Sequence, residues 1–233
     1  MIYTGKTDKG LVRSNNEDFF YAKGNLLIIA DGMGGHNAGE VASKLAVDTV
    51  ISVLDGIKDN YEENLIQAIK EANEVVFEKA TGDKAGMGTT IDICICDKDK
   101  IYLGHVGDSR VYVIRDEKAI KITEDHSYVE LLVQKGEITA DEAKDYPMKN
   151  MITKAIGVSK SIEGDFYEFA LKKGDKILLC TDGLTNMLTD EKIVEIIGKS
   201  ENTDKAADAL IEKANAAGGK DNITVIVAED FFD

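Results

Sequence analysis

The stretch that decides the fold is residues 26–54, LLIIADGMGGHNAGEVASKLAVDTVISVL. Its apolar beginning, residues 26–30, predicts a strand that is buried on both faces and stops at Asp31. Apolar residues then recur at helical spacing from Val41 to Val53, after Asn37 as a candidate N-cap with Glu40 three residues on. A strand, a glycine-rich loop that begins with an aspartate, and a helix therefore follow one another.

The rest of the chain predicts more strands and helices, in an irregular order. Apolar runs bounded by turns predict strands at 90–96, 101–106, 111–114, 177–180 and 223–228. Helical spacing with a polar opposite face predicts helices at 65–80, 193–197 and 206–214. The order is strands, two helices, a run of strands, a polar region, one strand, two helices and a last strand. This is not the βαβα alternation of a parallel sheet, so we expect antiparallel sheets covered by helices, in the α+β class.

Composition limits the domain count and the partners. The 233 residues, 43% of them hydrophobic, suffice for one domain over 1–233, in which the polar region at about 123–165 around Pro147 is the predicted flap. The formal net charge of −15 repels nucleic acid and anionic membranes. No apolar run approaches the roughly 20 residues of a spanning helix. We expect a soluble, cytoplasmic monomer.

Aspartates collect at the ends of the predicted strands. An apolar run stops at or just before Asp31, Asp108 and Asp182, and Asp221 stands directly before the closing strand. If that strand is antiparallel to its neighbours, its start lies at the same edge as their ends. Converging carboxylates repel unless a cation offsets them, and oxygen ligands suit magnesium or manganese. The alternative is that each aspartate simply marks a turn.

Three further residues have candidate roles in the same region. The carbonyl of Gly32, in DGMGGH, could be an extra oxygen ligand; the loop lacks the GxxxxGK[ST] pattern of an ATP site. His36 could protonate a leaving alkoxide, or only hydrogen-bond at the helix entry. Arg13 has the planar fork that holds a phosphate dianion, although a lone arginine is usually a surface charge. His105 and His126 are interpreted as structural.

Six motifs carry a resemblance to a known family: VRSNNEDFF, DGMGGHNAGEVAS, GTT, GDSR, CTDGL and DNIT, in this order. The chain resembles the protein phosphatase 2C family of metal-dependent phosphatases over nearly its whole length, and is similar to the bacterial serine/threonine branch. The resemblance implies a four-layer α-β-β-α sandwich, with two antiparallel sheets between the helices and a flap insertion.

The resemblance also implies the metal ligands. Asp31 would bridge two manganese or magnesium ions, and Gly32 would contribute its carbonyl. Asp182 and Asp221 would complete the pair, and Asp108 would hold a third, weaker ion together with Asp182.

The remaining assignments concern water, phosphate and the leaving group. By resemblance, Glu17 and Asp18 would orient water at the metals. Arg13 would bind the substrate phosphate, and His36 would be the general acid. In the flap, Lys149 and Lys154 stand where relatives often have arginine, and Tyr146 where histidine is common.

The function implied is hydrolysis of phosphoserine and phosphothreonine on proteins by a water that a binuclear manganese or magnesium centre activates. Neither a CxxxxxR loop nor a GxSxG elbow occurs, so covalent catalysis by cysteine or serine has no basis in the sequence. The expected partners are phosphorylated proteins and an opposing bacterial serine/threonine kinase. The alternative is a narrow or inactive regulator that keeps the fold and binds phosphoproteins.

Overall fold

The computed structural model describes residues 1–34 and 38–232. Eleven strands are described: β1 (Ile2–Asp8), β2 (Asp18–Lys23), β3 (Leu26–Met33), β4 (Gly88–Thr89), β5 (Ile91–Asp97), β6 (Lys100–Val106), β7 (Arg110–Arg115), β8 (Lys118–Lys121), β9 (Asp165–Ala170), β10 (Lys176–Cys180) and β11 (Ile223–Glu229). The helices described are α1 (Ala38–Leu54), α2 (Tyr61–Lys79), α3 (Tyr128–Gln134), α4 (Ala140–Lys144), α5 (Asp182–Thr185), α6 (Asp190–Lys199) and α7 (Thr203–Ala216).

The strands form two antiparallel sheets. The first has the order β1-β11-β10-β7-β8, and the second has the order β2-β3-β5-β6-β9, with β4 paired to β3. Helices α1 and α2 pack on the second sheet, and α6 and α7 pack on the first. A third apolar cluster fills the space between the sheets. The predicted α-β-β-α sandwich is confirmed.

Strand β3 shows how a continuous apolar run places a strand between a layer of helices and a second sheet. Leu27 and Ile29 belong to the cluster between the sheets, while Ile28 and Ala30 face the helices. Successive side chains of a strand point to opposite faces, so a continuous apolar run is buried by a sheet on one side and by helices on the other.

All the predicted strands and helices are present, with ends that differ by a few residues. One boundary matters: β3 continues to Met33, so Asp31 lies inside the strand, where we expected it just after a strand ending at residue 30. The extension forms because Gly32 and Met33 pair with β4. The predicted N-cap Asn37 lies outside the described residues.

Several elements were not predicted. Strands β1, β2, β8 and β9 are only partly buried, so their apolar runs are weak. Two strands, β9 and β10, follow the flap where one was expected, and the flap contains the short helices α3 and α4. It joins the second sheet through an isolated bridge between Thr89 and Ile156.

Candidate metal centre

The candidate site residues meet in one cavity of about 250 Å³ at an end of the sandwich. Its lining includes seven of the residues singled out from the sequence: Arg13, Glu17, Asp31, Gly32, Asp108, Asp182 and Asp221. The flap contributes Asn150 and Ile152. The structure thus brings together residues that lie as far as 208 positions apart in the chain.

Both sheets deliver carboxylates to this cavity. Asp31 on β3 stands opposite Asp18 on β2 in the second sheet. In the first sheet, Asp182 lies two residues after β10 and Asp221 lies two residues before β11, and these strands are antiparallel. Asp108 lies in the turn by which the chain passes from β6 in one sheet to β7 in the other. The predicted convergence of strand-end carboxylates is therefore observed.

The GTT motif fixes the backbone of Asp31. The amide of Asp31 donates to Thr90 Oγ1 at 2.9 Å, and its carbonyl accepts from the amide of Thr90 at 2.9 Å and from the hydroxyl of Thr89 at 2.8 Å. The Thr90 hydroxyl also bonds to that of Ser109 at 2.9 Å, next to Asp108. Two motifs that are distant in sequence thus hold the two aspartates in place.

Gly32 is required by a close approach of three chain segments. A Cβ at this position would lie 2.2 Å from the carbonyl oxygen of Gly39 and 2.4 Å from that of Glu17. The amide of Gly32 donates to the same Glu17 carbonyl at 3.1 Å. The absence of a side chain therefore lets α1 and the loop before β2 meet beside Asp31.

Asp18 is buried behind the cavity instead of lining it. Its Oδ2 accepts hydrogen bonds from Thr224 at 2.6 Å and Thr181 at 2.9 Å. Burial raises the pKa of Asp18 to about 7, and the two threonines oppose that rise. Its other oxygen, Oδ1, is buried and has no hydrogen-bond partner within the part of the chain that the structure describes.

The carboxylates raise one another's pKa. Burial is the first cause for each, and it raises the pKa of Asp182 to about 6 and that of Asp108 to about 7, with neighbouring aspartates adding to the effect. The pKa of Asp31 is also raised, by burial and then by the charges of Asp18 and Asp182. Such a cluster disfavours ionisation until positive charge enters it.

The donor set fits hard divalent cations. Its candidate donors are all oxygens, and among the described residues neither Asp182 Oδ1 nor Asp18 Oδ1, both buried, has a hydrogen-bond partner. Within residues 1–34 and 38–232, however, no three His, Cys, Asp or Glu side chains are already placed to hold an ion. In this structure Asp221 Oδ2 bonds to Arg13 at 2.7 Å and Asp182 Oδ2 bonds to Asn186 at 2.9 Å.

Glu17 and Arg13 lie at the rim of the cavity. Burial raises the pKa of Glu17, while the Arg13 charge and a hydrogen bond from the Gly39 amide lower it. The Arg13 side chain is half exposed. The predicted general acid His36 lies outside the described residues.

Asn222 is a site residue that the sequence reasoning missed. Its Oδ1 accepts from the amide of Glu17 at 2.8 Å, and its Nδ2 donates to the carbonyls of Lys9 and Asn15 at 2.9 and 2.8 Å. It therefore ties the loop that carries Arg13 and Glu17 to the start of β11. The signal was present in DNIT, from which only the aspartate was selected.

A sequence model described as protein phosphatase 2C matches residues 12–216. The chain belongs to the protein phosphatase 2C family. Serine/threonine phosphatase Stp of Listeria monocytogenes is 38% identical to it, over 96% of this chain and 94% of that protein. Protein phosphatase PhpP of Streptococcus pneumoniae is also 38% identical, over 94% of this chain and 93% of that protein.

Solved structures of protein phosphatase 2C relatives agree with this fold. PstP/Ppp of Mycobacterium tuberculosis superposes with a TM-score of 0.92 at 38% identity, over 98% of this chain and 97% of that one. The PstP catalytic domain in complex with two manganese ions superposes with a TM-score of 0.89, also at 38% identity and with the same coverage of both chains. Membership in this family makes the chain a metal-dependent protein phosphatase, with manganese or magnesium as its cofactor. None of the described helices is long and apolar enough to span a membrane.

Proposed function

We propose that this phosphatase hydrolyses phosphoserine and phosphothreonine on proteins by direct attack of water at a binuclear manganese or magnesium centre. The observation that carries the proposal is the meeting of Asp31, Asp182 and Asp221, from two sheets, in one cavity with Arg13. Stp of Listeria monocytogenes, which shares 94% of its length with this chain, is named a serine/threonine phosphatase. This relative supports the substrate class.

The roles of the acidic residues follow from their positions. Asp31, the Gly32 carbonyl, Asp182 and Asp221 hold the cation pair, and Asp108 with Asp182 holds a third, weaker ion. When bound, the cations lower the pKa of the attacking water and offset the charge that develops on the phosphoryl oxygens. Glu17, at the cavity wall, and Asp18, buried beside Asp31, orient water there.

Arg13 receives the substrate phosphate. A guanidinium presents five N–H donors in a fixed fork, and Arg13 Nη2 donates one hydrogen bond to Asp221 at 2.7 Å. The contact with Asp221 holds the fork over the cavity before substrate arrives. Because the chain as a whole carries a net charge of −15, this local positive group is needed to draw in a phosphorylated side chain.

The leaving seryl or threonyl oxygen takes up a proton, and His36, five positions after Asp31 in the sequence, is the proposed donor. The substrates are phosphorylated proteins, and the phosphatase opposes a serine/threonine kinase in a bacterial cell. A monomeric, cytoplasmic enzyme that does not bind nucleic acid remains our expectation from charge and composition.

The direct test is phosphate release from a phosphothreonine peptide, with and without manganese, for the wild type and for Asp182→Asn. A matched control is Asp83→Asn, since Asp83 is exposed in the turn Gly82–Lys84, away from the cavity lining. We expect turnover to require manganese and Asp83→Asn to retain it. Asp182→Asn should lower turnover by more than about 100-fold, which is the scale of removing an electrostatic contribution to transition-state stabilisation. A folded wild type that binds manganese without turnover would instead support the inactive regulator.

A further inference from the structure

The side chain of His126 lies where the flap meets the turn that carries Asp108. It is 9% exposed. Its backbone amide donates to the Gly107 carbonyl at 2.7 Å, and its Nδ1 accepts from the Gly107 amide at 3.0 Å. Both polar backbone groups of the residue before Asp108 are thus bonded to His126.

Gly107 itself has little freedom to move. Its φ is +118°, a conformation that side chains disfavour, and a Cβ there would lie 2.5 Å from Thr90 Cβ. Thr90 in turn bonds to the backbone of Asp31. Any shift of the Gly107 turn therefore displaces Asp108 relative to Asp31.

The protonation state of the His126 ring is consistent with its hydrogen bond from the Gly107 amide. Burial, the neighbouring His105 and Lys154 lower the pKa of His126 to about 4, so the imidazole is neutral at ordinary pH. Because Nδ1 faces an N–H group, it must be the acceptor, and the proton resides on Nε2. Nε2 lies 3.1 Å from Asp165 Oδ2, an acceptor at the start of β9.

A second, fully buried histidine supports the first. The rings of His105 and His126 have centroids 4.8 Å apart. His105 is held by Asp92 Oδ1 at 2.6 Å on one nitrogen and by the Glu124 carbonyl at 2.9 Å on the other. With both of its nitrogens bonded, His105 is a fixed surface for the His126 ring.

His126 is also hydrogen-bonded to the segment of the flap that reaches the cavity. Its carbonyl accepts from the Thr153 amide at 2.7 Å, and the next residue, Ser127, forms a bridge with Ile152. Ile152 and Asn150 line the candidate metal centre. Lys154 adds an ion pair to Asp165 at 3.2 Å. One residue is therefore bonded to the Asp108 turn and to the flap.

We propose that His126 is a positioning residue that locks the Gly107 turn to flap residues 150–154, so that Asp108 and the flap wall keep a fixed relation to the reacting centre. His126 does not touch substrate or cation in this account. The proposal rests on the assignment of Asp108 to the proposed centre, and it goes beyond it by giving the flap a defined anchor.

Two substitutions distinguish the roles of the two ring nitrogens, Nδ1 and Nε2. In His126→Asn the amide oxygen stands near the position of Nδ1 and still accepts from Gly107, whereas in His126→Gln the amide reaches the position of Nε2 and leaves the buried Gly107 amide unpaired. Glu137→Gln, at an exposed flap position, is the control. Manganese binding to the metal-free protein is measured by calorimetry, together with hydrogen exchange of segments 104–110 and 148–156.

We expect His126→Gln to weaken the weakest manganese site by roughly 10–100-fold, as loss of an orienting partner does, and to speed exchange in both segments. In His126→Asn the manganese affinity of this site should stay within about threefold of the wild-type value. That change is smaller than a factor of ten, which corresponds to about 1.4 kcal/mol. Equal behaviour of the two variants, or unchanged metal binding and exchange in a folded His126→Gln, would overturn the proposal.

A measurement on the wild type keeps the proposal testable if His126→Gln does not fold. Exchange of the Gly107 and Thr153 amides, followed by NMR in the metal-free protein, reports whether the two segments open together. We expect the opening equilibrium constants of the two amides to agree within about tenfold, since residues of one cooperative unit open together. Thr153 opening independently, with Gly107 still protected, would show that His126 does not join the segments.

Discussion

Arg13 Nη2 donates a hydrogen bond of 2.7 Å to Asp221 Oδ2. The contact joins the proposed phosphate-binding residue to a proposed metal ligand, and the two residues come from opposite ends of the chain. In the metal-free protein Arg13 thus offsets one carboxylate of the cluster. Cation and phosphate binding both alter this pair, so its two members should be separable by substitution.

Replacing Arg13 should impair substrate binding and leave metal binding intact. We expect Arg13→Ala to lower kcat/KM for a phosphothreonine peptide by roughly 10–100-fold, because hydrogen bonds to a charged group contribute about 1.5–3 kcal/mol. Arg13→Lys should be intermediate, since an ammonium lacks the planar fork. Lys9→Ala, at an exposed position of the same loop, is the matched control. Wild-type kcat/KM in Arg13→Ala would remove Arg13 from the phosphate site.

The hydroxyl of Thr224 should stabilise the metal-free fold through Asp18. It donates to the buried Asp18 carboxylate at 2.6 Å and bonds to Thr7 at 2.7 Å. We expect Thr224→Val to lower the free energy of unfolding by about 1–3 kcal/mol, because a buried acceptor loses its donor. The measurement is urea denaturation in EDTA at about pH 8, where Asp18, with its pKa of about 7, is ionised.

The matched control for Thr224→Val is Thr4→Val in the same sheet. The Thr4 hydroxyl bonds to another neutral hydroxyl, that of Thr203, at 2.9 Å. Loss of this hydrogen bond should lower the free energy of unfolding by no more than about 1 kcal/mol. Equal effects of the two substitutions would show that the Asp18 carboxylate adds nothing to the hydroxyl's contribution.

Manganese should stabilise the protein more as pH rises. Burial raises the pKa of Asp18 and Asp108 to about 7 and that of Asp182 to about 6, whereas in the unfolded chain such groups ionise near about 4. Between about pH 4 and pH 7 the metal-free folded protein therefore binds more protons than the unfolded chain. These groups make its stability fall as pH rises through that window.

Cations need the ionised carboxylates, so their binding releases protons and strengthens with pH. We expect the rise in Tm caused by manganese to be several degrees larger at about pH 7.5 than at about pH 5.5, since 1 kcal/mol shifts Tm by about 2–4 °C in a domain of this size. Differential scanning calorimetry with manganese or EDTA measures the rise at each pH. A rise that does not depend on pH would argue against coordination by the raised-pKa aspartates.

The pair formed by Arg110 and Asp125 should hold the start of the flap. Arg110 donates from Nε at 3.0 Å and from Nη2 at 2.6 Å to the Asp125 carboxylate. The Arg110 charge and hydrogen bonds lower the pKa of Asp125 despite its burial. We expect Asp125→Asn to lower the free energy of unfolding by about 1.5–3 kcal/mol, because the partly buried guanidinium loses the negative charge of its partner.

The same pair predicts a pH effect of opposite sign. A carboxyl whose folded pKa lies below its unfolded value contributes stability above the unfolded pKa and loses it as pH falls through the folded value. The difference between wild type and Asp125→Asn should therefore shrink in acid. Urea denaturation at several pH values below about 5, the region in which carboxyls titrate, measures it, and a constant difference would contradict the account.

The fold was largely predictable because its central strands are continuous apolar runs. Strands such as β3 and β11 are covered on both faces, and their sequences show it directly. The edge strand β1 alternates weakly and is held by its seven-residue register with β11, a partner some 220 positions away. Long-range pairing of this kind leaves no local pattern to find.

The site was predictable in its charged residues and less so in its supporting ones. Asp182 and Asp221 lie next to the ends of neighbouring antiparallel strands and Asp31 lies near the end of β3, so their convergence follows from the sheet topology. Asn222, Thr224 and His126 act through hydrogen bonds to backbone or to buried carboxylates from other segments. Such roles depend on which segments meet, and a residue type alone does not specify them.

The central claim is that carboxylates from both sheets hold a pair of cations, with Asp31 bridging them. The most direct test is calorimetric titration of manganese into metal-free wild type, Asp31→Asn and Asp83→Asn at about pH 7.5, above the raised carboxyl pKa values. The account predicts at least two ions per chain for wild type and for Asp83→Asn, and loss of both tight sites in Asp31→Asn. Two tightly bound ions in Asp31→Asn, or none in the wild type, would contradict it.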